Sequence, residues 1–522
     1  MRSTVIRRVV AAVLAIVIGV AVMSGVASAA NGDKDGSRTG TDVVNLTESG
    51  KLQPGEELPT PSEVAHATEK NRVSINFVWL MVGGVLVLFM QAGFALVETG
   101  FTRAKNSSHT MMMNLVIFAL GVVGWWAVGY ALMFGSTSNT LLDLTALGSP
   151  WQLGDWNILA HSGFFLSGHA YDVSVMGFFF FQLVFMDATA TIPTGAMAER
   201  WKFSSFVFWG LFASMILYPV FGNWVWGGGF LSQLGTLGPK WGHGAVDFAG
   251  SGVVHAMGGV AAFWGAKMLG PRLGKFGKDG TARAIPGHHI PMAFLGTFVL
   301  LVGWMGFNGA STFAGSDLRL TVVIVNTILA SAFGCLAALF MTWWRFGKPD
   351  PGMTCNGLLA GLVAITAPCA FVAPWGAAII GSVAGVLMYA TVLFMERRMK
   401  IDDPVGAIAV HGANGLWGLL AVGLFADGSY GAGLNGVDGG VAGLFAKHGG
   451  GIDQLLAQVA DCVVLITWCS IACVVFFSIL NRVQRGGMRV TEDEELAGLD
   501  MPLMGSISYP DFQEAPPTNV LT

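Results

Sequence analysis

Two stretches decide the fold: Asp247-Phe248-Ala249-Gly250-Ser251-Gly252-Val253-Val254-His255 and Asp403-Pro404-Val405-Gly406-Ala407-Ile408-Ala409-Val410-His411. Asp, Gly, Val and His recur at the same offsets, so Asp247, Gly250, Val254 and His255 answer to Asp403, Gly406, Val410 and His411. Each stretch leads into an apolar run long enough to cross a bilayer. Working outward from them, eleven such runs can be counted, at about 75–98, 111–135, 173–198, 203–226, 248–269, 290–310, 320–344, 354–372, 375–396, 404–426 and 455–481. The repeated signal opens the fifth and the tenth. Five is odd, so the second half enters the membrane from the opposite side to the first. Inverted halves of this kind place a transport path at their interface. The expected fold is an all-α polytopic membrane protein with eleven transmembrane helices, arranged as two inverted five-helix repeats plus a final helix.

Composition supports that class. Charged residues are 11% of the 522 and apolar residues 53%, against about 25% charged in soluble domains. Mean hydropathy is +0.61. The 72 glycines suit close helix approach in lipid. A soluble enzyme, a disordered scaffold and a nucleic-acid binder are excluded, and a net charge of -4 offers no basic excess for a polyanion. The six cysteines lie in or beside apolar spans without CxxC spacing, so they read as packing residues and not as a disulfide framework or zinc site.

The N-terminus has Arg2, Arg7 and Arg8, an apolar run from Val9 to Val22, then Ala27-Ser28-Ala29. This predicts a secretory signal over 1–29. Residues 30–72 show no periodicity and read as a disordered extracytoplasmic arm. The membrane domain then runs 73–481, with a cytoplasmic tail over 482–522. With the mature N-terminus outside, the inward loops and tail carry seventeen Lys and Arg, and the outward loops three (Lys240, Arg319 and Lys447). That bias predicts an outside N-terminus and a cytoplasmic C-terminus, in the inner (plasma) membrane.

An ionisable residue inside a membrane is costly and faces a cavity or a partner. One such His would serve as interhelical hydrogen-bonding glue. Two at symmetric positions point to a lined pathway where the halves meet. No further metal ligands accompany them, and a membrane hydrolase would need a nucleophile that the pattern lacks.

The run 247–255 resembles the signature of the Amt/Mep/Rh ammonium transporters. GFALVETGFTRAKN (93–106), GAMAERWKFS (195–204), YPVFGNWVWGGG (218–229), GWMGFNGAS (303–311), NGLLAGLVAITAPCAFV (356–372) and DDPVGAIAVHG (402–412) are similar to family segments in family order. The resemblance covers roughly 75–500 and is to bacterial Amt-type members. It implies a homotrimer with one pore per subunit, no enzymatic activity and no cofactor. It implies that Trp226 and Ser311, with Phe185 beside them, form an outer recruitment site, and that Phe185 and Phe307 close the pore from outside. It further implies that Trp304 lines the path below, that His255 and His411 are the paired histidines, and that Asp247 is a structural acid near the mouth. The tail 482–522, with Glu492-Asp493-Glu494-Glu495 and Gly498-Leu499-Asp500, resembles the family's regulatory tail, where a PII-type signalling protein is a possible partner.

The chemistry of these residue types agrees. Ammonium is a small cation with four N–H donors. Trp is the best cation–π partner, worth about 0.5–2 kcal/mol, and a Ser hydroxyl adds an acceptor. A weak site of this kind lets the ion leave again. Some positions depart from the family pattern. Val97 stands where some members have an aromatic, Ser251 where Gly is usual, and Gly406 where some carry an acid. Glu98 reads as a helix-packing hydrogen-bonding residue. Asp187 is either buried structure or a vestibule charge, with structure favoured. The rival functions are an ammonium sensor on the same fold and a Rh-like gas channel.

Overall fold

A computed structural model describes residues 60–431, 437, 439–446 and 449–510. The expected signal 1–29, most of the arm and the last stretch of the tail lie outside them. Nine helices among the described residues are long and apolar enough to cross a membrane. They are α1 (Pro61–Phe101), α2 (Ala104–Phe134), α3 (Val173–Met197), α4 (Phe203–Val225), α6 (Ile290–Thr312), α7 (Leu320–Phe346), α9 (Pro374–Met399), α10 (Ile408–Phe425) and α11 (Asp453–Val483). Two shorter elements take the remaining expected positions. In α5 a π-helical turn, Ser251–Ala256, runs into Met257–Leu269, and α8 is Pro351–Ile365. The chain is thus an all-α polytopic membrane protein, and the set is compatible with eleven spans. A short hairpin, β1 (Trp151–Leu153) with β2 (Trp156–Leu159), sits in the loop before α3.

One boundary differs from the sequence reading. The arm was expected to stay irregular to residue 72, but α1 begins at Pro61. Thr60 and Glu63 form a reciprocal capping box and Pro61 occupies the first turn, a start signal that needs no apolar periodicity. Residues 61–72 then continue the helix of the span behind them.

Glycine lets the helices meet at backbone distance. A Cβ on Gly334 of α7 would lie 2.5 Å from the Gly357 carbonyl of α8. At the centre, α3 is buried without interruption from Phe181 to Met197. Glu98 of α1 accepts from Asn114 Nδ2 of α2 at 2.7 Å and from Thr194 Oγ1 of α3 at 2.8 Å, which makes it the packing residue expected.

The loops after α1, α3, α5 and α9 converge on one face through buried charges. Arg103 pairs with Glu199. Arg272 bonds Glu199 at 3.0 Å and Asp402 at 2.8 Å. Arg200 donates to the Asp402 and Gly270 carbonyls at 2.7 and 2.8 Å. Burial alone would raise the Asp402 carboxyl, but the Arg200 charge and the Arg272 hydrogen bonds outweigh it and hold the acid well below the usual carboxylate range. Burial lowers Arg200 to about 10. These basic loops share one face, as the alternation of spans demands.

The tail docks on that face. Helix α12 (Glu492–Ala497) is capped by Thr491. Buried Glu495 accepts from the Leu273 amide at 2.6 Å and pairs with Arg489 at 2.7 Å. Leu499 N donates to Asn106 Oδ1, and Asp500 Oδ1 accepts from His109 N, both at 2.9 Å. The acidic run is therefore partly a docking element and not a freely solvated end.

Candidate functional site

The repeated signal builds the same local structure twice. Asp247 accepts the amides of Gly250 (3.1 Å), Gly252 (3.0 Å) and Val253 (2.8 Å). Asp403 accepts those of Val405 (3.2 Å), Gly406 (2.9 Å) and Ile408 (2.7 Å). Each carboxylate satisfies orphan donors at the start of its helix. Gly250 and Gly406 both have left-handed φ, +109° and +80°, which only glycine adopts without strain. Gly406 thus keeps a turn that an acid at this position would strain. Each turn opens into a π-helical segment, Ser251–Ala256 and Ile408–Ala413, that carries the histidine. Each His therefore lies within or just past the wide first turn of its helix.

Each π segment meets, at backbone distance, the helix that follows the other. A Cβ on Gly259 would lie 2.0 Å from the Gly412 amide, and one on Gly415 would lie 2.6 Å from the Ala256 amide. Gly259 and Gly415 each follow their His by four residues, and Gly412 and Ala256 each follow by one. The contact is therefore two-fold in sequence as well as in space. It sets His255 Nδ1 3.2 Å from His411 Nδ1, so one nitrogen donates and the other accepts. Both rings are buried, and His255 Nε2 has no hydrogen-bond partner among the described residues.

A file of rings leads away from this pair. His255 stacks on Trp304 (5.0 Å, 21°) and on Phe307 (5.3 Å, 27°). Phe307 lies 4.1 Å from Phe185, and Phe185 6.2 Å from Trp226. Trp304 Nε1 donates to Thr366 Oγ1 at 2.9 Å, and Trp226 Nε1 to the Asp247 carbonyl at 2.6 Å, which fixes both indoles. Ser311 Oγ donates to the Phe307 carbonyl at 2.7 Å, so the hydroxyl proton is engaged while its lone pairs stay free to accept. Beyond Phe185 opens a cavity of about 530 Å³ lined by Trp226, Ser311, Phe185, Gln182, Phe313 and Asp247 among others.

The structure thus brings together all eight residues singled out from the sequence: Trp226, Ser311, Phe185, Phe307, Trp304, His255, His411 and Asp247. Asp187 does not line the cavity; it is buried within α3, as the structural reading expected. Sequence reasoning missed Gln182 and Phe313 in the vestibule, Phe94 beside His411 (6.0 Å), and the glycine crossing. For the crossing a signal was present: HAMGG (255–259) and HGANG (411–415) both place Gly four residues after His.

Fold and site together define a polytopic helical membrane protein with a buried histidine pair and a file of rings leading from it to a cavity. The chain belongs to the Ammonium Transporter Family, whose sequence profile matches residues 78–509. It is 45% identical over 456 residues to ammonium transporter Amt2 of Archaeoglobus fulgidus, covering 87% of this chain and 92% of that protein. It is 37% identical to ammonium transporter Amt1 of Haloferax mediterranei, over 84% and 80% of the two chains. Among solved structures it is similar to a sensor Amt protein (35% identity, TM-score 0.71, 83% of this chain and 99% of that one). It is also similar to Candida albicans Mep2 (28% identity, TM-score 0.68, 84% and 91%).

Proposed function

We propose that the protein moves ammonium across the plasma membrane by recruiting NH4+ in the Trp226 vestibule and conducting NH3 past the histidine pair. The carrying observation is the unbroken file from Trp226 through Phe185 and Phe307 to His255 and His411. The Trp226 face offers cation–π attraction, and the Ser311 lone pairs accept an N–H. The 4.1 Å Phe185–Phe307 contact leaves no room for a hydrated ion, and a bare cation between such rings costs several kcal/mol. Loss of a proton at or before this constriction removes the charge that makes passage costly. Beyond it the facing imidazoles offer the lone pairs and N–H groups that ammonia needs, with the proton following separately or remaining outside. On this reading the vestibule faces outward, the charged loops and tail face the cytoplasm, three copies assemble, and the docked tail is the surface that a PII-type protein meets.

Ammonium uptake and current measured together in proteoliposomes test it. Saturable uptake with proportional current means that charge follows the ammonia, and saturable uptake without current means gas conduction. Absence of uptake from a folded protein refutes transport and favours sensing.

A further inference from the structure

Among the described residues, two titratable groups line the vestibule, Asp247 and His243. Asp247 is engaged: its oxygens hold the amides that open α5. His243 lies four residues earlier on the same loop and takes no part in the path from Trp226 to His411. Its backbone amide donates to Gln454 Oε1 of α11 at 2.9 Å. That glutamine and Gln458 clamp the whole segment: Gln454 Nε2 donates to Gly244 O, and Gln458 bonds both the amide and the carbonyl of Val246. The ring of His243 is partly exposed and meets Gly440 O through Nε2 at 3.3 Å. A carbonyl only accepts, so Nε2 carries the hydrogen and Nδ1 is left with a lone pair. Protonation at Nδ1 then adds a full positive charge to the vestibule wall without breaking either tether.

We propose that His243 is a pH-dependent brake on ammonium recruitment: uncharged it leaves the vestibule open to cations, and protonated it repels them. The inference rests on the vestibule being the recruitment site. An imidazole ordinarily changes charge between about pH 5 and 8, and a charge on this ring would act on a cation held in the same cavity of about 530 Å³. Two like charges roughly 10 Å apart, in a medium between water and protein surface, change binding by roughly two- to tenfold. Linkage fixes the sign: protons and ammonium compete, so apparent affinity for ammonium falls as external pH falls. Other charges near His243 are Lys240 on its own loop and Asp453 at the start of α11, both exposed to solvent. As exposed groups, Lys240 and Asp453 are screened by salt.

The experiment measures the half-saturation concentration for ammonium uptake by the full-length protein in proteoliposomes, at external pH 5.5 to 8 with internal pH held constant. The wild type should show a two- to tenfold rise towards the acid end, smaller at high ionic strength. His243→Gln keeps an N–H for Gly440 O but carries no charge, and should flatten the dependence. His243→Lys should stay at the high, acid-like value throughout. Matching pH dependence in the wild type and His243→Gln overturns the inference while leaving the recruitment site intact. Uptake that never saturates overturns the recruitment site, and the inference with it. If His243→Gln does not assemble, the His243→Lys and wild-type curves decide alone: coincidence at alkaline pH refutes the brake.

Discussion

Replacing Gly259 with Ala tests the geometry on which the path depends. The added Cβ would lie 2.0 Å from the Gly412 amide nitrogen and 2.3 Å from Gly412 Cα. Both are backbone atoms, so no rotamer change relieves the clash. Ordinary contact begins at 3.4 Å, so α5 and α10 must separate locally by roughly 1.4 Å, a strain of the size that costs about 1–3 kcal/mol in packed cores. The histidines sit one turn from the clash. The same shift would carry their 3.2 Å contact to roughly 4.5 Å, beyond hydrogen-bond reach. The expected protein is folded and oligomeric, with a modestly lower melting temperature and ammonium uptake reduced at least tenfold. Gly415→Ala, the two-fold mate at 2.6 Å from the Ala256 amide, should give the same phenotype in weaker form. Uptake in proteoliposomes, with thermal unfolding in detergent as control, measures both effects. Normal uptake by a Gly259→Ala protein would mean that the histidine contact is not needed for transport.

Trp226→Leu removes a cation–π contact worth about 1 kcal/mol, so half-saturation for ammonium should rise about fivefold; an unchanged concentration dependence removes Trp226 from the site. His255→Asp puts a carboxylate beside His411 and lowers the cost of a dehydrated cation, so the variant should pass potassium, read as rescue of a potassium-uptake-deficient strain. A potassium-tight, ammonium-conducting His255→Asp protein would shift selectivity to Phe185 and Phe307. Asp402→Ala leaves buried Arg272 with Glu199 as its one remaining acid and should destabilise by up to about 3 kcal/mol. Because the Asp402 carboxyl is held low, its contribution is complete above its ordinary value near 3.9 and is lost only as pH falls through the lowered value; wild-type melting should owe no slope to it between pH 8 and 5. Protease added to intact spheroplasts should spare the 482–522 tail, and cleavage there would reverse the assigned sidedness.

The fold was legible because lipid imposes simple demands. Long apolar runs, a one-sided Lys and Arg bias and a recurring Asp–Gly–Val–His signal all survive in one sequence without an alignment. The ring file was legible only through the resemblance, since a single Trp or Phe in an apolar chain carries no address. Three features escaped. The start of α1 at Pro61 is set by a capping box in a stretch whose composition reads as irregular. The π-helical first turns follow from where each Asp collects its amides, which spacing alone does not reveal. The docking of the tail turns on Glu495, one acid among four neighbours, because it alone reaches both the Leu273 amide and Arg489.

The two halves agree where backbone matters and differ where rings do, and this difference gives the path a direction. Both have a capping Asp, a left-handed Gly, a π turn and a Gly four residues past the His, so the histidine pair falls on the pseudo-two-fold axis. A symmetric lining would then present the same barrier from either mouth. Instead, α6 sets Trp304 and Phe307 flat against His255, at 5.0 and 5.3 Å, whereas His411 has Phe94 tilted at 6.0 Å. Phe185 extends the His255 side to Trp226. On the proposed reading, a cation arriving from the vestibule meets the Trp226 indole first and the Phe185–Phe307 contact next, before reaching the imidazoles. From the other mouth this indole–constriction order is reversed. The repeated backbone sets the place of the histidines, and the unlike rings around them are what, on the proposed reading, separate recruitment from selection.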